Sequence, residues 1–217
     1  PFLVIATQNP VGAAGTQLLP QAQLELIESI AGLRKPTVAV LFNGRPLDLH
    51  GVYDRVDAVV EAWFPGSEGG AAVADILLGA VDPSARLTLS FPYSVGQVPV
   101  YYNHFNTGRP LGAPDAQVRY VSQYLDAPND PLLPFGFGLS YTAFEYDGLK
   151  LSSDVMTADR PITVSVNVTN TGGRPGTETV QLYVRDIAGE VVRPVRELKG
   201  FVKLELAPGE RGTAVFT

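Results

Sequence analysis

A short loop rich in tyrosine carries the side chains best suited to binding a ligand. His104, Asn106 and Arg109 lie close together there, and Tyr101 and Tyr102 precede them. Planar groups that donate and accept hydrogen bonds, set beside aromatic rings, suit a hydroxyl-rich ligand such as a saccharide. The same polar side chains would also serve to cap the turns of a linker or to pack domains together. Both interpretations stay open, and these three residues are the candidates for substrate binding.

No motif assigns a catalytic residue, a metal site or a cofactor. Ser140 follows two glycines but lacks the pattern of a nucleophile elbow. The glycines of the segment 66–70 do not match a dinucleotide fingerprint, and they are interpreted as permitting a close helix–strand approach. The chain has two His and no Cys, which argues against a metal centre built from those ligands.

Composition indicates a globular protein with many turns. Gly and Pro together make 40 of 217 residues, about 18% against roughly 12% in average proteins. Hydrophobic residues make up 45% and charged residues 18%, which excludes wholesale disorder. Because the first residue is Pro1 rather than Met, we expect the chain to be a piece of a longer protein.

The net charge of −6 is confined to the middle of the chain. Residues 51–150 carry 11 acids and 5 bases, whereas the segments on either side are balanced. No basic stripe is present, so neither nucleic acid nor an anionic membrane is an expected partner. No apolar stretch approaches the ~18 residues that a membrane-spanning helix needs.

The first third of the chain alternates strand and helix patterns. Strands are predicted over 2–5, 37–42 and 56–63, and helices follow Pro20 and cover 71–78. The run Thr37–Phe42 is continuously apolar, as in a strand of a parallel sheet buried on both faces. The predicted fold over residues 1–91 is therefore a partial α/β sandwich, a mostly parallel sheet flanked by helices.

The last third is all-β in pattern. Ile162, Val164, Val166 and Val168 alternate with polar residues, and shorter runs recur near 180–184, 202–206 and 214–216. Evenly spaced short strands indicate a truncated fibronectin-III-like sandwich over residues 144–217. Residues 92–143, punctuated by Tyr, Pro and Gly, are predicted to be a linker.

Motifs along nearly the whole chain resemble those of one enzyme family. Their order and spacing carry the resemblance more than any single motif does. The most specific run is Gly96-Gln97-Val98-Pro99-Val100-Tyr101-Tyr102-Asn103-His104, followed by Asn106-Thr107-Gly108-Arg109-Pro110; Ala62-Trp63-Phe64-Pro65-Gly66 and Leu133-Pro134-Phe135-Gly136-Phe137-Gly138 flank it. The chain resembles the C-terminal half of a family-3 glycoside hydrolase of the bacterial periplasmic β-glucosidase type.

The resemblance implies an architecture and an activity. Such enzymes have an N-terminal barrel, an α/β sandwich and a fibronectin-III-like domain, so a barrel domain of the same protein is an expected partner. The implied reaction is retaining, exo-acting removal of terminal β-linked sugars from an oligosaccharide or glycoside. Because the barrel supplies the family's Asp nucleophile, we expect the chain alone to be inactive. The implied location is the periplasm or the exterior of the cell.

The family's acid/base Glu has no counterpart in this sequence. Relatives carry it shortly before the helix that begins at Leu19-Pro20, yet the first acid here is Glu25, on that helix. Three explanations stay open: a catalytically impaired homologue, a relocated acid, or divergence or error in this segment. The rival to an enzyme is a non-catalytic carbohydrate-binding or scaffolding homologue.

Other chemically suggestive residues are interpreted as structural. Glu68 is expected to be an acid at the start of a helix, Glu61 a surface charge at a strand end, and Asp75 a solvated or paired residue of the helix. Trp63 is expected to pack in the core rather than to stack on a sugar.

Overall fold

The structure, a computed structural model, describes residues 3–8, 17–113 and 118–217. Contacts divide the chain into two compact units. Unit 1 comprises Pro1–Ala74, Leu89–Tyr102 and Thr107–Phe135, and unit 2 comprises Asp75–Thr88, Asn103–Asn106 and Gly136–Thr217. Parts of the segment 92–143 belong to unit 1 and other parts to unit 2. The predicted boundaries after residues 91 and 143 therefore stay predictions.

Unit 1 contains a three-stranded parallel sheet. Its strands are β1 (Leu3–Gln8), β2 (Thr37–Phe42) and β3 (Ala58–Glu61), in the order β1-β2-β3. Val40 pairs with Ala6 on one side and with Val60 on the other. Because β2 is the central strand, it is the most buried of the three, as its continuous apolar run predicts.

Strand β3 is shorter than the predicted run over 56–63. At its start, the Asp57 carboxylate accepts a hydrogen bond from the Thr37 amide at 2.7 Å. At its end, the Glu61 carboxylate accepts one from the Trp63 amide at 2.9 Å. The Ala62 amide still donates to the Leu41 carbonyl at 2.9 Å, and Trp63 then has φ 49°, in the left-handed region, so the extended strand cannot continue through Trp63.

Two helices match the predicted ones, and only the second begins at a different residue. Helix α1 (Gln21–Ala31) begins directly after Pro20 and buries Ile27. Helix α2 (Gly69–Leu78) begins two residues before the predicted 71. The interpretation of the 66–70 glycines as a helix–strand contact is wrong: Gly66 adopts φ 74°, and a Cβ on Gly69 would lie 2.5 Å from the Pro65 ring. Gly66 lies in the turn before α2, and Gly69 and Gly70 are the first two residues of the helix.

Unit 2 contains five antiparallel strands in two sheets. The strands are β4 (Phe144–Leu151), β5 (Val164–Asn170), β6 (Gly176–Val184), β7 (Glu197–Leu206) and β8 (Arg211–Phe216). One sheet has the order β4-β5-β8 and the other pairs β6 with β7. Strand β4 has no counterpart among the predicted runs, whereas the other four extend runs that alternation identifies.

The core of unit 2 lies where the alternating apolar residues meet. Val168, Val180, Leu206 and Ala214 are buried there, with Val166 and Phe144 packed against them. The buried Asn170 closes one end of the core. Its amide donates to the carbonyls of Arg174 and Leu206 and accepts from the Thr142 hydroxyl. The predicted order, an α/β layer with a parallel sheet followed by an all-β region, is confirmed.

Candidate functional site

Two of the three candidate binding residues, His104 and Asn106, belong to unit 2 and are exposed. The backbone of this short segment is fixed to the 194–195 region, because the Val195 amide donates to the His104 carbonyl at 2.9 Å. The His104 Nδ1 atom lies 2.9 Å from the Phe105 carbonyl oxygen. The segment therefore presents an imidazole and an amide on an anchored backbone.

Arg109 belongs to unit 1, and its guanidinium lies over an aromatic ring. Its central carbon is 5.7 Å from the centroid of the Tyr120 ring, and that of Arg119 is 6.0 Å from the same centroid. The Ser122 amide donates to the Arg109 carbonyl at 2.9 Å, which holds the two segments side by side. Tyr120 is 56% exposed. A guanidinium and an accessible ring are thus adjacent, an arrangement that suits a saccharide ligand.

A polar pair, the buried Asn43 and the half-buried Glu61, lies at the carboxyl edge of the parallel sheet. Asn43 follows β2 directly and is 1% exposed, and Glu61 is the last residue of β3. The Asn43 amide nitrogen donates to the Arg45 carbonyl at 2.7 Å. The buried Asn43 Oδ1 and Glu61 Oε2 atoms have no hydrogen-bond partner among the described residues. Ligand sites in open α/β sheets form at this edge, so the pair is the natural candidate for chemistry in unit 1.

Burial determines the ionisation of Glu61. It raises the pKa of the Glu61 carboxyl from its ordinary 4.5 to about 7, although hydrogen bonds from the Trp63 amide and the Asn43 side chain act in the opposite direction. The interpretation of Glu61 as a surface charge is therefore wrong. A carboxyl of this pKa could hold a proton at neutral pH, yet its partnerless oxygen is enclosed by protein. The signal that could have found it is its position at the end of a buried parallel strand.

The other suggestive residues have structural surroundings. The Trp63 ring lies 5.9 Å from the buried Phe91 ring, consistent with packing rather than sugar stacking. Glu68 is exposed immediately before α2, and its carbonyl accepts the Ala72 amide. Asp75 is exposed on α2, as expected for a solvated residue.

Two kinds of feature are absent from the described residues, 3–8, 17–113 and 118–217. They contain no group of three His, Cys, Asp or Glu side chains that could hold a metal ion. None of their helices has the length and apolar character needed to cross a bilayer. The acid-free segment in which the family's acid/base residue is expected lies largely in residues 9–16, outside the described part of the chain.

Comparison with protein families identifies the chain. Residues 5–141 match the model of the glycosyl hydrolase family 3 C-terminal domain. The chain belongs to glycosyl hydrolase family 3. Residues 178–217 match a fibronectin type III-like domain, so the family and the predicted order of domain types are confirmed.

Relatives and solved structures agree with the family assignment. A periplasmic β-glucosidase of Salmonella typhimurium is 50% identical over 91% of this chain and 26% of its own length. A β-xylosidase of Formosa agariphila is 44% identical over 89% of this chain and 26% of its own. A β-glucosidase from Listeria innocua superposes with a TM-score of 0.90 at 42% identity, covering 99% of this chain and 30% of that one. The chain thus spans about a quarter of the length of the curated relatives it matches.

Proposed function

We propose that this chain is part of a retaining, exo-acting β-glucosidase-like hydrolase that removes terminal β-linked sugars from oligosaccharides or glycosides. The observation that carries the proposal is the likeness along nearly the whole chain to a periplasmic β-glucosidase. That likeness also supports a periplasmic or secreted location. A β-xylosidase is among the relatives, so terminal glucose and terminal xylose are both candidate sugars.

Retention requires two carboxylates about 5–5.5 Å apart, one acting as nucleophile and the other as acid and then base. We assign the nucleophile to an N-terminal barrel domain of the same protein. The acid is either lost or relocated, because residues 1–24 contain no Asp or Glu. Glu61 has a suitable pKa for an acid, but its Oε2 atom is enclosed by protein and so is not exposed to a ligand. It is therefore a poor candidate for the relocated group.

We assign substrate contact to His104, Asn106 and Arg109. Exposure of all three side chains supports this assignment, as does the anchoring of both backbone segments by hydrogen bonds. An anchored backbone limits the conformational entropy that is lost when a sugar binds. The Tyr120 ring beside Arg109 supplies the apolar face that a pyranose ring packs against.

Turnover of a chromogenic aryl β-glucoside tests the proposal. This chain purified alone should give no turnover, and the full-length protein should hydrolyse the substrate with retention, as shown by NMR of the first anomer released. Clear turnover by the chain alone would contradict the need for a barrel nucleophile.

Two arginines that contact the same ring allow a matched test of substrate binding. In the full-length enzyme, Arg109→Ala should raise KM about tenfold, or about 1.4 kcal/mol, with kcat little changed. Arg119→Ala removes a guanidinium from the same Tyr120 ring and should leave KM unchanged. Equal effects of the two substitutions would show that Arg109 acts through Tyr120 and not on the sugar.

The absence of acids in residues 1–24 favours one alternative, a non-catalytic carbohydrate-binding homologue. A full-length protein that binds glucose or cellobiose saturably but hydrolyses no β-glucoside or β-xyloside would establish it. Measurable hydrolysis by the full-length protein would exclude it.

A further inference from the structure

Unit 2 contains an open cleft that none of the candidate site residues lines. Its volume is about 480 Å³, within the range of about 300–1,000 Å³ typical of small-molecule sites. Three pieces of unit 2 form it: the segment around Arg86, the segment from Gly136 to Tyr146, and strand β6 at Glu178–Gln181. All of these residues belong to one unit and lie in the described part of the chain.

A charge-neutral polar network forms one side of the cleft. The Glu178 carboxylate accepts from the Arg86 guanidinium at 2.8 Å and from the Tyr146 hydroxyl at 2.8 Å, one oxygen for each donor. The side chains of Arg86 and Glu178 are each 11% exposed. Burial and the neighbouring carboxylate raise the pKa of the Tyr146 phenol, so the hydroxyl remains a donor. The network fixes each of these groups before any ligand arrives.

Arg86 retains donors that the network does not use. Its guanidinium donates to the Ala85 carbonyl and to Glu178 in the described contacts, and a guanidinium carries further N–H groups. The Arg86 side chain lines the cleft and is 11% exposed. On β6, the Gln181 amide is held between the Gly136 carbonyl and the Tyr183 hydroxyl.

The cleft also offers apolar faces next to these polar groups. The Tyr146 side chain is 47% exposed although its hydroxyl is held by Glu178, and Leu139 is 70% exposed at the border. The Gly138 backbone lies close to the segment around Arg86 because Gly138 has no side chain: a Cβ there would lie 2.6 Å from the Ala85 carbonyl oxygen. Fixed donors and acceptors beside an exposed ring suit the hydroxyl groups and the apolar face of a sugar.

We propose that this cleft is a saccharide-binding site, which takes one or two sugar units of a neutral glycan. The ligand is neutral because Glu178 already compensates the charge of Arg86, leaving no excess charge for an anionic group. The cleft shares no lining residue with the proposed substrate contacts His104, Asn106 and Arg109. It would hold a glycan on unit 2 and leave hydrolysis of small glycosides unaffected.

Titration of this chain with cellobiose and glucose, followed by amide NMR, tests the proposal. Saturable shifts are expected at Gly136, Gly138 and Thr179 at millimolar sugar. Leu139→Trp should fill the border of the cleft and weaken binding about tenfold or more. Leu125→Trp, at a side chain that is 99% exposed in unit 1, is the matched control and should leave binding unchanged.

A second variant tests the network without filling the cleft. Tyr146→Phe keeps the ring but removes the hydroxyl that holds Glu178, so it should weaken cellobiose binding severalfold while NMR shows an intact fold. Any of three results would overturn the proposal. They are an absence of saturable binding, chemical-shift changes confined to residues 103–109, and an affinity of Leu139→Trp for cellobiose equal to that of the unchanged chain. In the full-length enzyme, Leu139→Trp should not change aryl β-glucoside hydrolysis, whereas Arg109→Ala should, so the two proposals can fail separately.

Discussion

The two units each contain a shielded glutamate, and the two glutamates have opposite surroundings. In unit 1, Glu61 has one backbone donor and an amide neighbour, no cation within ion-pair distance among the described residues, and one enclosed oxygen without a partner. In unit 2, Glu178 has a guanidinium on one oxygen and a phenol hydroxyl on the other. Both side chains lie on strands and are largely shielded from water.

The comparison shows that the role of a shielded carboxyl depends more on its neighbouring cations and hydrogen-bond donors than on how deeply it is buried. Removing a carboxylate from water costs free energy, and only a nearby cation or several donors offset that cost. Without a cation, Glu61 holds its proton to about neutral pH. With a cation and a hydroxyl, Glu178 forms the fixed side of a cleft. The same residue type thus yields a titrating group in one unit and a structural network in the other.

Removing the cation from Glu178 should have the largest effect. Arg86→Met leaves the carboxylate shielded and without its ion pair, so unit 2 should lose about 3–5 kcal/mol of stability. Amide hydrogen exchange measures this separately in each unit: protection should fall across Val164–Asn170 and remain unchanged across Thr37–Phe42.

A double variant checks the cause of that loss. Arg86→Met combined with Glu178→Gln removes the uncompensated charge and keeps an acceptor for the Tyr146 hydroxyl. Most of the lost protection should return. A loss below about 1 kcal/mol in the single variant would mean that the pair behaves like an exposed ion pair, and the contrast with Glu61 would fail.

Removing the charge from Glu61 should have the next largest effect, and a pH-dependent one. Because the folded-state pKa is raised from 4.5 to about 7, the carboxyl favours the folded state fully below pH 4.5 and loses that contribution as the pH rises through 7. Glu61→Gln cannot ionise. It should therefore stabilise unit 1 by roughly 3 kcal/mol near about pH 8 and by under roughly 1 kcal/mol near about pH 5.

Trp63 makes this measurement specific to unit 1. It is the single Trp of the chain and lies two residues after Glu61, so its fluorescence during urea unfolding reports on this part of the sheet. Glu68→Gln is the control, because Glu68 is exposed, and it should give no gain at either pH. Equal effects of Glu61→Gln at both pH values would show that Glu61 is ionised throughout.

Much of the fold follows from local pattern, and its exceptions have physical reasons. The continuous apolar run of β2 and the alternation around Val166 and Val168 predict strands that the structure contains. Strand β4 escapes prediction because its side chains are mostly exposed and its pairing with β5 shifts between Asp147 and Lys150. A strand without a buried face has no alternation to detect.

The candidate sites were less predictable because they depend on contacts between distant residues. Arg86 and Glu178 are 92 positions apart, and no spacing rule connects them. Glu61 looks like an exposed strand end in the sequence, and only the folded structure shows that its carboxyl is shielded and lies beside Asn43, 18 positions earlier in the chain. Local chemistry in the sequence did identify His104, Asn106 and Arg109 as candidates, and their role in binding stays a prediction.

Removing an exposed ion pair should have the smallest effect on stability. It serves as the reference for the shielded pair of Arg86 and Glu178. Arg55 and Glu28 lie 2.8 Å apart in unit 1, as close as Arg86 and Glu178, yet their side chains are 45% and 66% exposed. Water and salt screen such a pair, so Arg55→Ala should cost under about 1 kcal/mol and less at high salt. Urea unfolding monitored by Trp63 fluorescence measures it. A loss as large as that of Arg86→Met would mean that distance alone, and not shielding from water, determines what these pairs contribute.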